Sequence, residues 1–381
     1  MYPYPNIGIL GGGQLGKMMG LAVADWHLKL HFLDTSADMS AGIIAGSFTE
    51  GSFKSYDDVY SFGKDKDIIT IEIEHVNTDA LEALEKEGKI IHPAPKALRI
   101  IQDKGLQKQF YANNEFPTSP FTLYEDKAAI VEAIEKGALA FPFVQKTRTA
   151  GYDGKGVAVI KDKSDLSKLM DAASLIEDLV DIKKEIAVIA ARRPSGEIVA
   201  FPVVEMEFNP IANLVEYLIC PAKVSEQIAQ TANELAVSLI EKMDVCGLLA
   251  VEMFLTHDDQ VLINEVAPRP HNSGHHTIDS CYTSQFEQHI RAIMDVPLGS
   301  TALKTPGIMV NILGHPDYTG PVLYKGMDDC LALPGVNIHL YGKATTKPFR
   351  KMGHMTVVNE NLEEARKIAE EAKKRISVIS E

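Results

Sequence analysis

The chain has 381 residues, 45% hydrophobic and 24% charged, enough for two or three domains with substantial cores. Its 38 Lys and Arg against 52 Asp and Glu leave a formal charge of −14, which excludes the basic footprint of a general nucleic-acid binder or of a protein held on an anionic membrane. No apolar stretch approaches the roughly 18 residues of a membrane span, the opening MYPYPNIGILGGG lacks the basic region and cleavage site of a secretory signal, and four scattered cysteines (Cys220, Cys246, Cys281, Cys330) point to a reducing, cytoplasmic setting without disulfides or a zinc framework.

The first 90 residues alternate apolar runs with helical patterns. Residues 6–10 read as a strand, the glycine turn Gly11–Gly16 follows, and 17–24 read as a helix. Residues 28–33 and 68–73 are further strands, and 78–87 a helix with Thr78 as its cap. Strands alternating with helices predict a parallel α/β sheet. His92-Pro93-Ala94-Pro95 ends that pattern, and one helix is expected from there to about Asn114. The texture then turns β-rich, with strands at 143–146, 157–160, 185–191 and 198–204 and one helix near 165–172, which reads as a small antiparallel unit inserted between larger parts. A long amphipathic helix over 225–243, strands at 247–255 and 261–266, and a final helix over 362–376 complete the chain.

Two glycine clusters mark phosphate chemistry. In the first, G-G-G-Q-L-G, the backbone amides of a strand-to-helix turn can approach an anion, and Asp34 lies near the spacing of a ribose-binding acid. A dinucleotide oxidoreductase is one reading of that turn; nothing later in the chain supports hydride chemistry. The second, T-A-G-Y-D-G-K-G over 149–156, is a hairpin loop flanked by Lys146, Arg148 and Lys155, the composition of a loop that closes over phosphates.

The strongest signal is VEMFLTHDDQVLINEV over 251–266. With the turn centred between Asp258 and Asp259, Leu255 faces Leu262 and Glu252 faces Glu265. Two opposed carboxylates repel unless a divalent cation lies between them, and Mg²⁺ favours one or two carboxylates plus phosphates. Asn264 adds an oxygen if the backbone is bulged there. A rigid cationic loop, A-P-R-P-H-N-S-G-H-H over 267–276, follows directly and suits a small anion beside the metal; a zinc site and a plain surface loop are the alternatives. Finally, Lys343, Lys347, Arg350 and Lys351 reverse the local charge of an acidic chain, as a phosphate-recognition patch or as a solvated face.

Taken together, GILGGGQLGKMM, IEIEH, AGYDGKGV, VEMF, NEVAPRPHNSGHHT and RKMGH resemble the ATP-grasp superfamily and, within it, the N5-carboxyaminoimidazole ribonucleotide synthetases, almost end to end. The resemblance implies an α/β chain with an α+β lid: an N-terminal Rossmann-like pre-ATP-grasp domain over 1–95, an ATP-grasp domain over 96–300 with its glycine-loop lid at about 117–204, and a small C-terminal domain over 301–381. It implies ATP-dependent carboxylation of aminoimidazole ribonucleotide with bicarbonate, Mg²⁺ as cofactor and a homodimer. It places the ATP phosphates against Arg99, Lys146 and the loop Gly151, Tyr152, Asp153, Gly154, Lys155, Gly156 and Val157. The adenine hinge falls on Glu177, Asp178, Leu179 and Val180, and the ribose on Glu185. Phe208 stands by the nucleotide where many relatives have His. Glu252, Glu265 and Asn264 would hold Mg²⁺, and Arg269, His271 and Asn272 the bicarbonate. The ribonucleotide would meet Gln14, Leu15, Glu74, Tyr152 and Asp153, with its phosphate on Lys343, Arg350 and Lys351. Arg269, Asp153 and Lys155 are the implied catalytic groups.

Overall fold

The computed structural model describes residues 4–149, 151, 156–209 and 214–381. Its N-terminal layer is a five-stranded parallel sheet in the order β3-β2-β1-β4-β5. The strands are β1 (Ile7–Leu10), β2 (Leu30–Asp34), β3 (Ser47–Glu50), β4 (Ile68–Ile71) and β5 (Ile90–Ile91). IGIL and IITI are buried along their whole length, as parallel strands covered on both faces must be. The helices are α1 (Gln14–Ala22), α2 (Tyr56–Gly63) and α3 (Thr78–Lys86). α1 starts three residues earlier than the sequence suggests, so Gln14 opens it. The cap of α3 is Asn77, whose side chain accepts from the Ala80 amide, and not Thr78. The edge strand β3 and the eight-residue α2 escape a periodicity reading because both are short and half exposed.

The helix expected from Pro95 to Asn114 is two: α4 (Pro95–Ile101) and α5 (Lys104–Asn113). Asp103 breaks them apart by capping α5, its carboxylate accepting from the Gly105 and Leu106 amides. The inserted unit is a four-stranded antiparallel sheet, β6 (Phe121–Tyr124), β7 (Phe143–Thr147), β8 (Val157–Ile160) and β9 (Ser174–Asp178), in the order β6-β9-β7-β8 and backed by α6 (Lys127–Glu135). It ends at β9. The strands of 182–208, expected to belong to it, join the large sheet instead, and the helix expected near 165–172 is a 3₁₀ segment over Lys163–Lys168.

That large sheet has nine strands among the described residues. It runs β15 (Val261–Ala267), β14 (Gly247–Thr256), β10 (Ile182–Arg192), β12 (Val204–Phe208), β13 (Val215–Cys220) and β16 (Gly307–Leu313), then Lys351–Val358 and Val336–Leu340, with β11 (Ile198–Ala200) on β10. One core lies between this sheet and α7 (Glu226–Lys242), where Ala232, Ala236, Leu239 and Ile240 bury against Val188, Leu249 and Val251. The helix Leu362–Arg375 buries Ala365, Ile368, Ala369 and Ala372 on the sheet's other end. The four cysteines are free thiols, all buried. No helix among the described residues is long and apolar enough to cross a membrane.

Candidate active site

The three layers meet around one cavity of about 1130 Å³. That is at the upper end of single-ligand pockets and has room for two substrates. Gln14, Leu15 and Glu74 come from the first layer, Lys146, Gly151 and Val157 from the lid, and Glu177–Val180 from its hinge. The large sheet and its loops add Glu185, Phe208, Glu252, Asn264, Glu265, Arg269, His271 and Asn272, and Lys343, Arg350 and Lys351 complete the lining. Tyr152, Asp153, Gly154 and Lys155 lie outside the described residues.

The carboxylate pair forms as the pattern predicts, Glu252 opposite Glu265, with a register shift immediately beyond. Asn264 is the extra residue of that bulge. Because of it, Leu255 pairs with Val261 and not with Leu262. A bulge lets two consecutive residues face one side, and both Asn264 and Glu265 line the cavity. Burial and the facing Glu265 push the Glu252 carboxyl well above its usual range. Burial works against Glu265 too, but Lys104 and Lys146 hold it ionised and low. Two acids and an amide oxygen beside a phosphate-sized space make a fitting donor set for Mg²⁺, which favours oxygen ligands and few of them from the protein.

Lys146 is fixed twice, on Asn264 Oδ1 at 2.7 Å and on Glu177 Oε2 at 2.6 Å. Glu177 also pairs with Lys108 at 2.5 Å, in a cluster where Glu177 is 3% and Lys108 2% exposed. Burial alone would raise Glu177; the two ammonium groups bring it down to about 2. Its carboxylate therefore serves the lysines, and Asp178, Leu179 and Val180 continue the cavity wall beyond it. Glu185 is pushed up to about 7 by burial and by Glu265, against the pull of Lys146.

Arg99 is a correction. It projects from α4 onto Asp79 and Glu82, both at 2.5 Å, and is not among the residues that line the cavity. The cavity is lined instead by Lys104, the first residue of α5, whose Nζ is bonded to Glu265. Sequence reasoning missed it, although a cation at a helix N-terminus opposes the macrodipole and was a legible local conflict.

Arg269 reaches across to the first layer, its Nη2 2.5 Å from Glu74 Oε1. Burial opposes the charge on Glu74, but Arg269 keeps that carboxyl below its usual range. Burial, with Arg269 and Lys351 nearby, pushes His271 down to about 4, so its ring is neutral where it stands 3.5 Å from Glu252. Gln285 clamps this loop by bonding both the amide and the carbonyl of His271, at 2.9 and 2.7 Å. Asn272 exchanges amide bonds with Asn311 of β16 at 2.9 and 3.0 Å. At the basic end, Lys343 bonds the Lys351 carbonyl at 2.7 Å and Arg350 the Thr345 carbonyl at 2.7 Å.

The first glycine turn departs from the dinucleotide reading. Asp34 accepts from the Gly12 amide at 2.7 Å, and the Glu72 carboxylate takes the Gly13, Leu15 and Gly16 amides at 3.0–3.1 Å. Burial raises Glu72 to about 7 against the pull of those amides. The donors a pyrophosphate would need are thus bound by an acid of the chain itself.

Comparison with known proteins agrees with this architecture. Residues 4–102 match the ribonucleotide synthetase preATP-grasp domain, 109–286 the ATP-grasp domain, and 307–368 the phosphoribosylaminoimidazole carboxylase C-terminal domain. The three-layer fold and the lidded cavity therefore define an ATP-grasp protein. The chain is 38% identical to N5-carboxyaminoimidazole ribonucleotide synthase of Bacillus subtilis over 364 residues, covering 94% of this chain and 93% of that one. It superposes on N5-carboxyaminoimidazole ribonucleotide synthetase of Thermotoga maritima with a TM-score of 0.90 at 42% identity, covering 99% and 100% of the two chains. An Aspergillus clavatus N5-carboxyaminoimidazole synthase in complex with ADP and 5-aminoimidazole ribonucleotide gives 0.88 at 33%, covering 98% and 100%. The chain belongs to the N5-carboxyaminoimidazole ribonucleotide synthase family. It spans 64% of the length of the Vigna aconitifolia chloroplastic phosphoribosylaminoimidazole carboxylase, to which it is 39% identical over 93% of its own residues.

Proposed function

We propose that this protein is an ATP-dependent ligase that carboxylates 5-aminoimidazole ribonucleotide with bicarbonate, releasing ADP and phosphate. The observation that carries the reading is one cavity lined together by a carboxylate pair with its bulged Asn264, a neutral His271 with Arg269, and the basic residues Lys343, Arg350 and Lys351. ATP fits between the lid and the large sheet. Lys146 and Lys104 face its phosphates, the chain at Asp178–Val180 its base, Glu185 its ribose, and Phe208 stacks nearby. Glu252, Glu265 and Asn264 hold Mg²⁺, which when bound neutralises phosphate charge.

A bicarbonate oxygen attacks the γ-phosphorus and ADP leaves, giving carboxyphosphate. Carboxyphosphate either breaks down to CO₂ and phosphate, the exocyclic amine of the ribonucleotide then adding to CO₂, or is attacked by that amine directly at its carbonyl carbon with phosphate leaving; in both routes the amine proton is lost to Asp153 or solvent. Phosphoryl transfer of this kind needs positioning and charge neutralisation rather than a covalent nucleophile. Arg269 and Asn272 orient the bicarbonate, and Glu74 and Gln14 hold the ribonucleotide so that its amine meets that carbonyl.

The test is ADP release with substrates omitted one at a time. Release must require Mg-ATP, bicarbonate and the ribonucleotide together; release indifferent to the ribonucleotide refutes the substrate. A homodimer is the expected assembly. Light scattering measures it directly.

A further inference from the structure

The glycines of the first turn make room for an acid, not for a ligand. Gly11 sits at φ +103°, and a methyl on Gly13 would lie 2.6 Å from Glu72 Oε1. Glu72 follows β4 directly, where its own amide bonds the Leu10 carbonyl, so its side chain enters the turn from the neighbouring strand. Three amides converge on its two oxygens, from the residues on either side of Gln14 and from Gly16. Ionised acceptors make the stronger bonds of this kind, and an acid at the start of a helix also meets the positive end of its dipole. The turn so fixed carries Gln14 and Leu15 into the cavity. Glu72 itself lies two residues from Glu74, the partner of Arg269.

We propose that Glu72 is the positioning residue of the ribonucleotide site: it locks the Gly13–Gly16 turn so that Gln14 and Leu15 meet the ribonucleotide, and it occupies the amides that would otherwise admit a foreign phosphate. The proposal rests on the function given above, so the wild-type protein is assayed first. ADP release independent of the ribonucleotide overturns that function and the substrate named here with it.

Glu72→Gln keeps the shape but turns an N–H₂ toward an amide N–H. The KM for the ribonucleotide should rise about tenfold, the effect of losing one or two charge-assisted hydrogen bonds. The KM for ATP and kcat should stay within about threefold. Hydrogen exchange of the 11–17 amides in the ligand-free protein should quicken while that of the 261–267 strand does not. An unchanged KM for the ribonucleotide, an equal rise in both KM values, or unchanged exchange in 11–17 each overturns the proposal. If Glu72→Gln does not fold, Glu72→Asp, which keeps the charge but shortens the reach, is judged by the same split.

Discussion

Glu72, seated in the turn after β1, and the acids of the β14–β15 hairpin line the same cavity, and they are satisfied in opposite ways. Glu72 has three amide donors within 3.1 Å and belongs to the scaffold. Glu252 faces another carboxylate across the ladder, and the His271 ring 3.5 Å from it is kept neutral by burial. An acid whose donors come from its own backbone holds shape; an acid set against a like charge is arranged for a charge brought from outside. Counting donors separates the two roles where burial does not.

The largest effect that tests this contrast is on the hairpin. Glu265→Gln should cut turnover at least about a hundredfold while the thermal midpoint stays within a few degrees, because the amide oxygen can still accept from Lys104 and the repulsion with Glu252 is gone. Near wild-type activity in that variant breaks the metal assignment. Lys104→Met should come next, raising the KM for ATP about tenfold and leaving the KM for the ribonucleotide alone; the reverse pattern would place Lys104 at the wrong substrate.

A pH effect on stability is smaller and comes from groups that the chemistry does not use. His276 and His289 are buried, and burial pushes them down to about 4 and about 3. Their folded values lie below the unfolded value of about 6.5, so below that pH the unfolded chain binds protons that the folded one refuses. Stability should be full above pH 6.5 and fall as pH drops toward 4, by roughly 2 kcal/mol per histidine at pH 5. Urea unfolding at pH 7 and pH 5 measures this, and a flat profile between them refutes it. The smallest effect belongs to Arg99→Ala, which should leave the KM for ATP within about twofold and stability within about 1 kcal/mol, since it removes only surface ion pairs. A tenfold KM change would return Arg99 to the site.

Much of the site was legible because its chemistry breaks local rules. Opposed acids at Glu252 and Glu265, an arginine set between two prolines at Arg269, and a basic run in an acidic chain each conflict with what an inert surface would carry. The long amphipathic helix and the buried parallel strands were legible from period alone. What stayed hidden depends on tertiary partners. Arg99 and Lys104 are five residues apart on successive helices, and only the break at Asp103 decides which of them enters the cavity. Glu177 looked like a hinge acid until Lys108 and Lys146 closed on it from two other elements. The strands of 182–208 read as part of the lid because a β-rich texture does not say which sheet a strand joins.

The extra residue at Asn264 has a consequence for how this segment can change over time. In an unbroken ladder an Asn-Glu step would send one of the two side chains to the far face, where the core lies. Here the spare residue absorbs that half-turn, so the count of residues between Val261 and Glu265 is itself part of the site. Substitutions along β15 can drift toward any chain of similar shape. A single insertion or deletion cannot, because it would carry the cavity-side oxygens to the apolar side in one step. Strand length here is held as tightly as side-chain identity, and an adjacent pair of polar residues in an otherwise alternating apolar strand is its visible mark.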